Sequence, residues 1–337
     1  MNRILAVFLS ICLILCLCPM PTLAETAETP DEAAGSGAGS FRYRYADAAE
    51  GAALMLGNTE YYAGFTQNDL DFKMQKKGAS MEEYQAFAAE QVRDFTEEEK
   101  ACLDACLADI ETILAEKHLI LPPMEEVVFI VTTMAEENGA GAYTHGTQIY
   151  LMQDLLDAAL LEPDECMPYL EENLCHELFH CLTRCNPDFR AEMYRIISFT
   201  VQEEDFPIPP SVREFFISNP DVEHHNSYAA FRINGELKDC FMALVTTRHF
   251  EQEGESFFDC CIPALVPIDG TNVWYTPEQA ENFDELLGTN TDYVIDPEEC
   301  MADNFSYAVL YGMEGPEGTG YPNPEIIEAV ITSLGGK

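Results

Sequence analysis

Residues 168–184 most constrain the fold, because a run at helical spacing there has two unlike faces. On a wheel stepping about 100° per residue, Leu170, Leu174, Leu178, Cys181, Leu182 and Cys185 fall within roughly 120° of one another and form an apolar stripe. His176 and His180 fall on the far side. The spacing therefore predicts a helix from about Pro168 to Arg184 that buries one side in a core and turns two imidazoles towards a cleft or solvent. Asn186-Pro187 ends it, and Pro187 opens a second helix to about Phe199.

The string within that helix is His176-Glu177-Leu178-Phe179-His180, an HExxH motif. Residues four apart on a helix lie one above the other, so both rings reach one cation, and the intervening Glu177 projects beside them. Zinc suits such a pair, since it accepts four or five donors, polarises a carbonyl and acidifies water. Glu177 is then the candidate general base. Cys175 is turned about 100° from His176 and is a poor ligand candidate, and Cys181 and Cys185 sit on the core face.

Two imidazoles leave a catalytic zinc one protein ligand short. In Asp296-Pro297-Glu298-Glu299-Cys300-Met301-Ala302-Asp303 the acids Glu299 and Asp303 are four apart on one helix face, while Met301, Phe305, Ala308 and Val309 gather on the other. Glu299 is the candidate third ligand, with Glu298 as the alternative, and Asp303 is the candidate acceptor behind one histidine. The competing reading is a capping box from Asp296 to Glu299, which needs no metal. A neutral or cationic donor for a developing oxyanion is sought in Asn219–Tyr228, where His224, His225 and Tyr228 stand out; His225 and Tyr228 are the two retained. His224 and His225 could equally be surface loop residues, and His145 is a weaker candidate.

HExxH followed by Glu299-x-x-x-Asp303 resembles the gluzincins, the thermolysin-like branch of the zincin metallopeptidases. The resemblance implies a glutamate as third zinc ligand, an aspartate behind a histidine, and a peptide or protein substrate bound along the edge strand of a small sheet, for which Gln148–Met152 is the expected strand. It covers the two motif helices and the strand before them. The interval from His180 to Glu299 is longer than in compact members, so an inserted subdomain is expected between them. HExxH also serves other zinc amidases and hydrolases such as deformylases, although no upstream Gly-rich cysteine ligand accompanies it here. A non-catalytic exported binding protein is the remaining alternative, and the intact Glu177 counts against it.

The rest of the chain supplies the frame. Arg3, the apolar run Ile4–Cys18 and Thr22-Leu23-Ala24 read as a secretory signal over residues 1–24 with cleavage near Ala24, against an uncleaved anchor; Leu17 makes Leu15–Cys18 a poor lipobox. Residues 25–40 read as an acidic, Gly/Ser-bearing spacer. The expected protein is secreted or extracytoplasmic and free of the membrane after cleavage. A formal charge of −43 repels phosphate backbones, so no nucleic-acid partner is expected and a solvated acidic surface is the simpler reading. Ten of the 13 cysteines follow the signal, and export permits disulfides, yet Cys102/Cys106, Cys181/Cys185 and Cys260-Cys261 are poorly spaced to pair within each couple.

Thr96 with Glu97, Glu98 and Glu99 marks a helix start, Val127–Thr133 a buried strand, and two further helices are expected at 277–287 and 297–311. The fold class expected is α+β and zincin-like. A subdomain over 41–185 carries the small mixed sheet and the HExxH helix, and a mainly helical subdomain over 186–337 supplies the third ligand.

Overall fold

The computed structural model describes residues 41–336, so the signal and spacer expected over 1–40 lie outside the described residues. In chain order the elements are β1 (Tyr43–Tyr45), α1 (Ala48–Gly57), α2 (Thr59–Gly64), α3 (Gln67–Lys73), α4 (Met81–Gln91), β2 (Val92–Arg93), α5 (Glu97–Glu116), β3 (Val127–Thr132), β4 (Ala142–His145), β5 (Gln148–Met152), α6 (Gln153–Leu161) and α7 (Pro163–Cys185). They continue with α8 (Pro187–Ile196), β6 (Thr200–Val201), α9 (Pro210–Arg213), β7 (Ser227–Ile233), β8 (Glu236–Thr246), β9 (Cys261–Pro267), α10 (Phe283–Leu287), α11 (Pro297–Tyr311) and α12 (Pro324–Ser333). The architecture is α+β.

The first sheet is mixed, with order β1-β3-β5-β4; β1 runs parallel to β3, and β2 pairs antiparallel with the far end of the same strand. All six residues of β3 are buried because both faces are covered. Phe129 and Val131 pack with α5, α6 and α7, while Val128 and Ile130 pack with α1 and α4, as the two-residue period of a strand requires. Helix α1 crosses this second face closely: a Cβ on Gly51 would lie 2.9 Å from Val92 Cγ1 and 3.0 Å from Ile130 Cγ2. Thr96 caps α5 through a complete capping box with Glu99.

The outer strand of the sheet is β4, not β5 as expected. A two-residue turn at Gly146-Thr147, with Gly146 at φ +58°, folds β4 back antiparallel on β5, whose other side is taken by β3. Gln148–Met152 is thus an interior strand.

The span after α8 also departs from expectation, because it is not mainly helical. Strands β6 to β9 form an antiparallel meander, with β7 and β8 joined by Asn234-Gly235 at φ +53° and +78°. Such a pair of left-handed residues fits the twist of a tight hairpin. Cys240 and Met242 of β8 face the main core, and Phe241, Ala243 and Val245 pack under Val212 and Phe216. The helix expected over 277–287 is broken into a single 3-10 turn at Pro277–Gln279 and the short α10. One hydrophobic cluster runs from Phe41 to Leu334 through α5, α7, β7 and α11, so the main core crosses the boundary expected near 185.

Helix α11 lies against α7 and is buried on almost every side, including its acids Glu298 and Glu299. Helix α7 itself starts earlier than expected, with Pro163 in its first turn and Pro168 inside it. All ten described cysteines are free thiols. Among the described residues no helix is long and apolar enough to cross a membrane.

Candidate metal centre

The apolar stripe of α7 is buried as expected from Leu170 to Leu182, but its opposite face is buried too. His180 is fully buried and His176 keeps 13% of its side-chain surface, at the rim of a cavity of about 420 Å³. The covering element is α11, whose acidic face meets the two rings. Asp296 caps α11 by accepting from the Glu298 N–H, and Glu299 is turned to the histidines instead of closing a capping box.

The two rings are held alike. His176 Nδ1 is 2.8 Å from Asp303 Oδ1, and His180 Nδ1 is 3.0 Å from Glu298 Oε1. Their Nε2 atoms converge on one oxygen, Glu299 Oε2, at 3.1 Å from His176 and 3.7 Å from His180. With a proton on each Nδ1 donated to the carboxylate behind it, a cation taking the place of any proton on Nε2 would meet both Nε2 lone pairs, in the tautomer a metal requires. His180 Nε2, fully buried, has no hydrogen-bond partner. A buried orphan nitrogen of this kind costs stability unless something fills its lone pair, and a divalent cation among these donors does so. The donor atoms of His176, Glu177 and His180 lie within 4.8 Å of one another, as do those of His180, Asp221 and Glu299.

Around this core every carboxylate is oriented. Glu177 Oε2 accepts from Thr144 Oγ1 at 2.7 Å, which ties it to β4. Glu299 Oε1 accepts from Asn219 Nδ2, and Tyr293 OH stands 3.4 Å from the same oxygen. Glu298 accepts from Thr183 Oγ1 at 2.6 Å and from Tyr194 OH at 2.5 Å. Burial disfavours the charge on Glu298, but His180, Arg184 and Arg190 outweigh it and bring its pKa down to about 2. Burial likewise opposes the charge on Glu299, and His176 and His180 overcome it, so its pKa is lowered. Burial also works against a protonated His176, yet Asp303 and Glu299 hold its pKa well above the usual value.

The structure thus brings together His176, Glu177, His180, Glu299 and Asp303 among the residues named from the sequence. It does not bring His225 or Tyr228 to them, because neither lines the cavity. The His225 ring packs against Phe216 and Phe241, and Tyr228 sits on β7 opposite Thr200 with its ring edge-on to Phe206. His224 is exposed beside Asp205. His145 packs 4.6 Å from the Tyr61 ring, and burial pushes its pKa down to about 3.

The residues missed are Thr144, Asn219, Asp221, Tyr293, and Glu298 in its role behind His180. Asn219 and Asp221 belong to the segment already singled out for His225, but nothing in their spacing marks them. The same cavity is also lined by the apolar side chains Leu244, Phe257, Phe258 and Ile295. Comparison with protein-family models, with curated proteins and with solved structures finds no match to this chain.

Proposed function

We propose that the chain is a zinc-dependent peptidase of the zincin type, in which His176, His180 and Glu299 hold the ion and Glu177 is the general base. The observation that carries the reading is the convergence of two imidazole Nε2 atoms on one carboxylate oxygen, each ring backed by its own carboxylate, at the rim of a cavity. Zinc bound there supplies a Lewis acid for a carbonyl oxygen and lowers the pKa of water.

The chain's own residues supply the rest. Thr144 fixes the Glu177 carboxylate at the cavity wall, where it takes a proton from the attacking water and returns it to the departing amine. Tyr293 lines the same cavity beside Glu299 and is a neutral donor for a developing oxyanion; burial and Glu299 push its pKa well up, so it keeps its proton. Strand β4 is the edge along which an extended substrate would lie. Thr144 directs its N–H away from β5 to Asp221, so Ala142, two residues earlier, directs its N–H and C=O to the same side, and Ala142 lines the cavity. The export reading rests on residues 1–24.

The test is zinc content of the purified mature protein, paired with a peptide-library digest of wild type and Glu177→Gln. One zinc per chain and cleavage by wild type are expected, with zinc retained and turnover lower by about 10²–10⁴-fold in the variant. Equal turnover would exclude Glu177 as the base, and a chain that takes up no zinc would end the proposal.

A further inference from the structure

Asp221 stands beside the metal-binding residues, and its surroundings hold it there. It is 7% exposed, on the turn after Asn219-Pro220. Its Oδ1 accepts the Thr144 N–H at 2.7 Å and lies 3.9 Å from His180 Nε2, the same nitrogen that Glu299 Oε2 approaches at 3.7 Å. Donors about 2.0–2.2 Å from a tetrahedral centre are separated by about 3.3–3.6 Å, so the gaps from His180 Nε2 to Asp221 Oδ1 and to Glu299 Oε2 lie within a few tenths of an ångström of the spacing of two ligands to one ion. The turn is pinned on several sides. Asn219 Oδ1 accepts the Asp221 N–H at 3.0 Å, Arg184 donates to the Asp221 carbonyl at 3.0 Å, and the Ser218 N–H donates to Asp69 at 2.6 Å. Arg184 also pairs with Glu223 at 2.8 Å.

We infer that Asp221 is a fourth protein donor to the ion held by His176, His180 and Glu299, an assignment that rests on the metal reading above. Three buried carboxylates, Glu177, Asp221 and Glu299, have donor atoms within 4.8 Å of a donor atom of His180, whose Nε2 is orphaned, and a divalent cation would both compensate them and fill that lone pair. The ligand set is two imidazoles and two carboxylates, which together neutralise the ion. The water that Glu177 would deprotonate would then have to enter as a fifth donor, a coordination number zinc can reach, and an external anion competing for that position would be bound weakly.

The test uses the mature chain crystallised with excess zinc. An Asp221 oxygen about 2.0–2.2 Å from the ion is expected. An ion held by His176, His180 and Glu299 with Asp221 beyond about 3 Å would overturn the inference while leaving the peptidase reading intact, since that distance exceeds a bond to zinc. No ion at the site would overturn both. The solution counterpart is Asp221→Asn, which keeps the acceptor for Thr144 and so the turn. In the cobalt-loaded protein, the visible spectrum of wild type should be insensitive to millimolar azide and that of the variant should change. Zinc affinity should fall by about 100-fold. Equal azide responses and equal affinities would overturn the assignment.

Discussion

Glu298 gives the sharpest prediction, because one buried carboxylate serves both the candidate metal site and the core. Its oxygens accept from His180 Nδ1, Thr183 Oγ1 and Tyr194 OH, and Arg190 Nε stands 3.7 Å away. Glu298→Ala leaves three donors and a cation without their acceptor. Hydrogen bonds to a charged group contribute about 1.5–3 kcal/mol each, so three would sum to about 4.5–9. Water can reach part of the gap, since Glu298, Thr183, Arg190 and Tyr194 also line a second cavity, and the loss should settle at about 3–5 kcal/mol. For a chain of this size that lowers Tm by about 6–10 °C. His180 also loses the partner that fixes its ring, so zinc affinity should fall by about 10–100-fold. With a folded pKa near 2 against an ordinary 4.5, the contribution of Glu298 is present above about pH 4.5 and is lost only as acid approaches pH 2. Thermal unfolding of the metal-free protein and competitive zinc titration read the two effects separately. Glu298→Gln, which keeps an acceptor for His180, should recover part of both. Wild-type Tm and zinc affinity in Glu298→Ala would refute the argument that this carboxylate orients the ring.

Two other buried acids offer tests away from the metal. Glu136 accepts from Tyr143 OH at 3.1 Å while its Oε2 has no partner, and burial raises its pKa to about 7. The folded state therefore keeps a proton that the unfolded chain gives up, and about 3 kcal/mol of stability present below pH 4.5 is lost as pH rises through 7. Glu136→Gln should flatten this part of the urea-denaturation profile, and an unchanged slope between pH 5 and pH 8 would contradict it, given the ordinary carboxylate pKa. Lys73 is fully buried, bonded to Glu137, to Tyr61 OH at 2.5 Å and to the Ser218 carbonyl at 3.3 Å. Lys73→Met should cost about 3–5 kcal/mol by stranding Glu137, and a loss under about 1 kcal/mol would show the pair to be no better than a surface bridge.

What the sequence disclosed was local or repeated at the period of one element. The HExxH helix, the Thr96 cap, the strand at 127–132 and the Glu299/Asp303 face are all of this kind. Glu298 stands in the sequence only as the alternative ligand, and its role behind His180 escaped because one step on a helix turns a side chain about 100° away from its neighbour; it reaches the other histidine because α11 is enclosed on nearly all sides. That enclosure also explains why His180 is sealed rather than lining a cleft: a polar face on a helical wheel says nothing of whether a second helix covers it. The order of β4 and β5 depends on where β3 lies, which no local pattern carries. Asn234-Gly235 between Ile233 and Glu236 did carry a hairpin signal, and the meander over 227–267 could have been anticipated from it. His225 and Tyr228 share a stretch of chain with Asn219 and Asp221, but the turn points the latter pair at the metal site and sends the former into the second sheet.

Thr144 uses its main-chain N–H on Asp221, and its carbonyl lies 3.3 Å from Arg184. Of the outward-facing positions along β4, that leaves Ala142 for a guest. If the chain is the peptidase proposed above, a peptide docking there would gain a single rung of ladder rather than a long zipper, and selectivity would be read mainly through side chains. The aromatic and aliphatic wall of Leu244, Phe257, Phe258 and Ile295 is where such reading would happen, favouring a bulky apolar residue near the bond to be cut.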